Sequence, residues 1–307
     1  MSLLPVGRIV RRTMSERVPV RVFVVALLAY LVANLSGCAP TRTAAATQTT
    51  PAAFDPSTSD AKAIGVIDEM VAALGSAAAW SQVKQLRWEL KYFQNDELMG
   101  WVRHSWDIWN GRHRYEFIGS ATLQQFKASD GKEPPIFTIA MYDLYDHQGK
   151  GYVTDSARIN TPANQAYSED RDRIVEEAFR AWQRDSYQLT MFHKLKDPGV
   201  KLEYVGERED IKGKCKPACL DIKVSFVPEV GSDLYHVYIS PETKLPEVVE
   251  RVQSEGSSLA FILDNWTEVN GLKFPQVFKN LGPNEEFRIE NIHIGDPEQE
   301  LYVPTIR

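Results

Sequence analysis

The chain has 307 residues, enough for one large domain or two modest ones. Hydrophobic residues make up 43% and charged residues 25%, which excludes a wholly disordered or collagen-like chain. Its 35 Lys+Arg against 41 Asp+Glu give a net charge of −6, the wrong sign for displacing counterions from phosphates, so no nucleic-acid partner is expected.

The N-terminus reads as an export signal. Arg8, Arg11, Arg12, Arg17 and Arg21 precede the apolar run Val22–Ala33, which is shorter than the roughly 20 residues needed to cross a bilayer. Leu35-Ser36-Gly37-Cys38 follows and resembles the bacterial lipobox. That resemblance implies removal of residues 1–37 and diacylation of Cys38 as the mature N-terminus. The non-Asp residue Ala39 then implies sorting to the outer membrane, with the domain facing the periplasm. Processing removes five Arg and one Glu and leaves the mature chain at −10, so lipid and not a polybasic patch holds it on the membrane. Residues 39–59 are rich in Ala, Thr and Pro and carry one large apolar side chain, Phe54. They cannot bury enough surface to offset their ordering, so 38–59 reads as a disordered tether. Its reach is on the order of 25 Å.

The first regular element is a helix over 60–74, with Ile64, Ile67, Val71 and Leu74 on one stripe and Met70 beside them. Ser59 is its expected N-cap and Gly75 its C′ residue. The period then changes to two. Leu86, Trp88, Leu90 and Tyr92 alternate with Arg87, Glu89 and Lys91, and His104, Trp106 and Ile108 share one face of the next strand. Tyr115 and Phe117 follow, then an apolar run over 136–145. A central helix is expected from Ser168 to about Lys196, with Ile174, Ala178 and Trp182 on its stripe, Val175 and Phe179 beside them, and Arg171, Asp172, Glu176, Arg180 and Arg184 outside. Six more strands follow, over 220–226, 234–239, 246–253, 258–267, 272–280 and 286–294. Asn110-Gly111, Gln148-Gly149, Asn270-Gly271 and Gly282-Pro283-Asn284 supply the turns. Short connections imply antiparallel pairing. The expected fold is therefore α+β: a single domain over 60–307 in which a large curved antiparallel sheet forms an incomplete β-barrel, covered by the N-terminal helix and the central helical insertion.

This order resembles the LolA/LolB lipoprotein carrier and receptor superfamily. Residues 238–246 (YISPETKLP) look like its "D-p-x-T-g-L-P" hairpin, and 264–275 (DNWTEVNGLKFP) like its "y-x-x-v-d-G-l-x-l-P" hairpin. Ala72-Ala73-Leu74-Gly75 through Trp80 is similar to an "A-l-G-G-x-x-x-w" helix end of periplasmic relatives. The resemblance implies helices lidding an apolar cavity. The motifs themselves specify hairpins, not chemistry.

No nucleophile, metal or nucleotide motif is present, and the six His are dispersed in sequence. No catalytic residue, metal or cofactor is expected. With Cys38 acylated in an oxidising envelope, Cys215 and Cys219 are left to pair, and C-x-x-x-C fits neither a complete zinc set nor the C-x-x-C redox motif. Aromatic residues are the one excess. They serve either as a bulky core behind the sheet or as the lining of a cavity formed by Trp88, Trp106, Phe117, Trp182 and Phe261 that takes acyl chains, which need area and not hydrogen bonds. The expected function is binding of a lipid or lipidated ligand, such as lipoprotein acyl chains. The alternative is a non-catalytic interaction module with a filled core that docks onto an envelope protein partner.

Overall fold

The computed structural model describes residues 53–132, 137–145, 149–154, 160–162, 171–228, 232–253 and 256–303. The export signal, Cys38, most of the tether, His147, Gln148 and residues 168–170 lie outside the described residues.

Among the described residues, thirteen strands form one antiparallel sheet, in the order β6-β5-β4-β3-β2-β1-β13-β12-β11-β10-β9-β8-β7. The chain lays down β1 (Gln85–Gln94) in the middle and steps outward through β2 (Glu97–Asp107), β3 (Arg112–Phe117), β4 (Thr138–Asp143), β5 (Gly149–Thr154) and β6 (Asn160–Pro162). It restarts at the opposite edge with β7 (Val200–Arg208). Then β8 (Cys219–Phe226), β9 (Leu234–Ile239), β10 (Pro246–Val252), β11 (Ser258–Val269), β12 (Leu272–Asn280) and β13 (Glu285–Gly295) bring it back to pair with β1. β6 and β7 do not meet, so the sheet stays open. This is the α+β open curved sheet that the alternation and the family resemblance predict, with more strands than the sequence displays. Strand β7 was hidden because its short alternation, Val200, Leu202 and Tyr204, gives way to the polar run from Gly206 to Asp210. Among the described residues no helix is long and apolar enough to cross a membrane.

Helix α1 (Ala61–Ala73) buries Ala63, Ile67, Met70 and Val71. The stripe is rotated from the expected one: Ala63 takes the buried place given to Ile64, which packs at the margin of the core. Its N-cap is Asp60, not Ser59. The Asp60 carboxylate accepts from the N–H groups of Lys62 and Ala63, a stronger acceptor for orphan amides than a hydroxyl. Ser59 Oγ instead accepts from Leu202 N–H on the outer edge of β7 at 3.0 Å, and Asp60 N–H donates to Leu202 O at 2.8 Å. Phe54 packs against the core, so ordered chain begins before the expected boundary at 60. The other end matches expectation. Gly75 at φ +114° allows Ser76 N–H to reach Val71 O and Gly75 N–H to reach Ala72 O, a Schellman closure. A Cβ there would stand 1.9 Å from Gly271 O, so the position is closed to every other residue.

A five-residue helix α2 (Ala77–Ser81) leads into β1. Helix α3 (Ser120–Ala128), absent from the sequence reading, lies on the opposite face, where Leu123 joins Ile118, Phe137 and Ile139 beside Trp101. Helix α4 (Arg171–Thr190) and the turn Met191–His193 cross the concave face and carry the chain from one sheet edge to the other. The main core joins α1, the end of α4 and the inner face of the sheet; Trp88, Phe192, Phe274 and Phe278 are its largest fully buried side chains.

Candidate functional site

Alternation on β2 and β3 puts His104, Trp106, His113, Tyr115 and Phe117 on the concave face. Register then pairs His104 with Tyr115 and Trp106 with His113. On β1, Trp88 faces His104 across the ladder, and their rings stack at 4.4 Å with a 6° interplanar angle. The outcome is a band of aromatic and imidazole rings running across three strands.

Helix α4 covers this band. Its buried positions run Ile174, Ala178, Ala181, Asp185 and Leu189, steps of four, three, four and four residues. The stripe thus contains a carboxylate. Asp185 is 1% exposed, and its Oδ2 stands 3.1 Å from Nε2 of His104, itself fully enclosed. His104 Nδ1 lies 3.1 Å from His113 Nε2. Proton placement follows from the chain of contacts. The nitrogen beside the carboxylate carries hydrogen, so His104 Nδ1 accepts, His113 Nε2 donates and His113 Nδ1 is a bare lone pair. Among the described residues, that lone pair has no partner. The indole N–H groups of Trp88 and Trp182 are likewise buried without one.

Electrostatics agree with this protonation. Burial pushes the Asp185 carboxyl up, but the Arg184 guanidinium, 2.6 Å from Oδ1, and His104 overcome it and hold the carboxyl down to about 2. Burial pushes His104 down, against the pull of Asp185. Burial, then the neighbouring His104, pushes His113 well below the ordinary histidine value. Both imidazoles are therefore neutral at pH 7 beside an ionised carboxylate.

The five expected lining residues divide. Trp182 on α4 meets Trp106 edge-on at 5.7 Å, and Trp88 and Trp106 belong to the ring band. Phe117 stacks on Tyr115 at 5.3 Å, at the margin of the band. Phe261 is elsewhere, packed edge-on against Phe287, which stacks with Tyr92. A cavity of about 380 Å³ is bordered by Arg87, Glu89, Arg103, Ser105 and Glu116, which alternate with the band residues along their strands, together with Trp88 and His104 of the band itself. Its charges already pair: Arg103 meets Glu89 and Glu116, and Arg87 meets Glu298.

Cys215 and Cys219 are disulfide-bonded, with Cα atoms 4.7 Å apart. Glu247 Oε2 accepts from Cys215 N–H at 2.6 Å and lies 3.9 Å from Cys219 Sγ. These three residues have ligand-type atoms within 4.8 Å of one another, but two sulfurs bonded to each other offer no thiolate to a metal. Ile211, Tyr238, Val248, Ile262 and Leu281 pack around the bridge and seat the loop on the sheet.

The sequence reading missed Asp185, His113 and the coupling of the dispersed histidines. A signal existed for the first: continuing Ile174-Ala178 by helical steps lands on Ala181 and Asp185, a charge on an apolar stripe. The histidine pair had none, because only strand register brings residues 104 and 113 together.

No family model matches the chain, and no curated protein matches it. It is similar to a solved LolA superfamily protein from Nitrosomonas europaea at 9% identity and a TM-score of 0.40, over 78% of this chain and 97% of that one. A solved structure described as an outer membrane lipoprotein-sorting protein domain, from Vibrio parahaemolyticus, matches at 9% and 0.40, over 78% and 96%. A DUF1329 family protein from Desulfovibrio piger matches at 9% and 0.38, over 78% and 97%. At these values no ligand and no residue's role is carried from those proteins to this chain.

Proposed function

We propose that this chain is an envelope lipoprotein, anchored to the outer membrane through Cys38 and facing the periplasm, that binds a lipid or lipidated ligand by its acyl chains between helix α4 and the concave face of the sheet. It binds and does not catalyse. The observation that carries the reading is how α4 is seated. The buried centre of its contact with β3 and β4 is a small apolar cluster in which Ala140, Ala178 and Ala181 outnumber the larger Ile174 and Tyr115, with Phe179 on Tyr142 at its margin, so the centre of that seat contributes little apolar area. The far end is held otherwise, because Leu189, Met191, Phe192 and Leu195 are built into the main core. A helix anchored at its C-terminal end and lightly seated along its length is suited to lift, and the rings of Trp88, Trp106 and Trp182 lie beneath it.

The second reading, a filled interaction module, is favoured by the same rings being packed against one another. One experiment separates the two. Protein purified from envelopes is extracted with organic solvent and the extract analysed by mass spectrometry, beside titration of the delipidated protein with a fluorescent fatty acid. Stoichiometric co-purifying lipid with saturable probe binding is the expected result. Absence of both leaves the interaction module.

A further inference from the structure

Buried polar atoms in folded proteins almost always have partners. Among those under α4 without a hydrogen bond are the N–H groups of Trp88 and Trp182 and the bare Nδ1 of His113; His104 Nε2 has only its 3.1 Å ionic contact with Asp185. The first three belong to one patch, since Trp88 stacks on His104, His104 contacts His113, His113 is paired in register with Trp106, and Trp106 meets Trp182. Two donors and one acceptor are unused where hydrocarbon alone would ask for none. Resting on the acyl-binding reading above, we propose that this patch is a head-group site, and that the ligand's polar end is an uncharged group that both accepts and donates hydrogen bonds, a hydroxyl or an amide.

The chemistry selects against charge. The hydroxyl or amide oxygen accepts from an indole N–H, and the group's own O–H or N–H donates to His113 Nδ1, so one ligand group engages an unused donor and the unused acceptor together. A carboxylate or phosphate has no hydrogen for that nitrogen. It would also add a second buried negative charge beside Asp185, whose charge Arg184 already matches. A cationic head would approach a patch whose one carboxylate is already engaged.

Acylglycerols and amide-linked acyl chains share this chemistry, so the test uses a member of each: 1-monodecanoylglycerol and decanamide, against decanoate, titrated calorimetrically into the delipidated full-length mature protein at pH 7.5. Both neutral probes are expected to bind at least about tenfold tighter than decanoate, the equivalent of one retained buried hydrogen bond. His113→Phe, which keeps a ring and removes the acceptor, is expected to bring the neutral probes down to the affinity of decanoate. An amide-only or a glycerol-only preference identifies which source the site serves and supports the proposal. In case His113→Phe does not fold, indole N–H resonances of Trp88 and Trp182 are followed in the wild type. They are expected to move with the neutral probes at concentrations where decanoate leaves them unmoved. Equal binding of all three probes overturns the head-group site and leaves acyl binding standing. Failure of all three to bind overturns the acyl-binding reading and this inference with it.

Discussion

Asp185 occupies a place that the stripe Ile174, Ala178, Ala181 reserves for an apolar side chain. An ionised carboxylate there costs several kcal/mol of desolvation, offset only by Arg184 and the His104 edge. The neutral imidazoles beside it make stability depend on pH. His104 and His113 are depressed by burial, and His193, stacked on Trp80 with Nε2 3.1 Å from Lys273 O, is pushed down by burial to about 4. Unfolded chains take up protons at these sites below about pH 6.5 and the folded protein does not, so stability falls as pH drops from 6.5 toward 4. The His193 share alone is at most about 3 kcal/mol. His236 works in the opposite sense: its hydrogen bond to Asp221 raises it, so its contribution is present in acid and lost as pH rises. That pair is partly exposed and worth less. Urea midpoints are expected to decline from pH 7 to pH 4.5, and the ring protons of His104, His113 and His193 to show no titration shift between pH 7.5 and 6. A midpoint that holds level or rises across that range would contradict the buried neutral imidazoles.

Helices and strands were legible in unequal measure. Alternation located β1, β2 and β8–β13 because one face of each is apolar and the other charged, and Asn270-Gly271, both at positive φ, made the turn its dipeptide promises. Boundaries and caps were less so: Asp60 displaced Ser59 because two adjacent residues were both good caps and the edge of β7 claimed one. The seat of α4 on Ala140, Ala178 and Gly149, where a Cβ would come within 2.3 Å of Val175, depends on tertiary approach that no local pattern records. Trp182 tests what that seat is for. It is half-buried, with its indole nitrogen unpaired. Trp182→Ala is expected to cost less than the about 3–5 kcal/mol of a fully buried Trp and to quicken release of a bound acyl probe. Denaturation measured beside release decides: the full stability loss with unchanged release would make α4 ordinary core.

At the scale of the whole molecule, the sequence foretold an open curved sheet with helices on its concave side, and could not foretell whether the space between was filled, because volume is a property of assembled side chains. Anchoring has its own test. Cys38→Ser is expected to leave the precursor unacylated and move the protein from the outer-membrane fraction to soluble or unprocessed fractions. Retention of the variant in that fraction, as for the wild type, would remove the lipobox reading.

The contact of Ser59 and Asp60 with Leu202 bears on proteolysis and self-association. An open sheet offers its outermost strands as templates for other chains. On β7, the Leu202 amide and carbonyl are both already engaged by the incoming N-terminal segment. A cut just after Asp60 would therefore remove more than a leash. The released domain would show a bare strand edge to its neighbours, so a clipped form should assemble edge to edge at concentrations where the uncut protein stays dispersed.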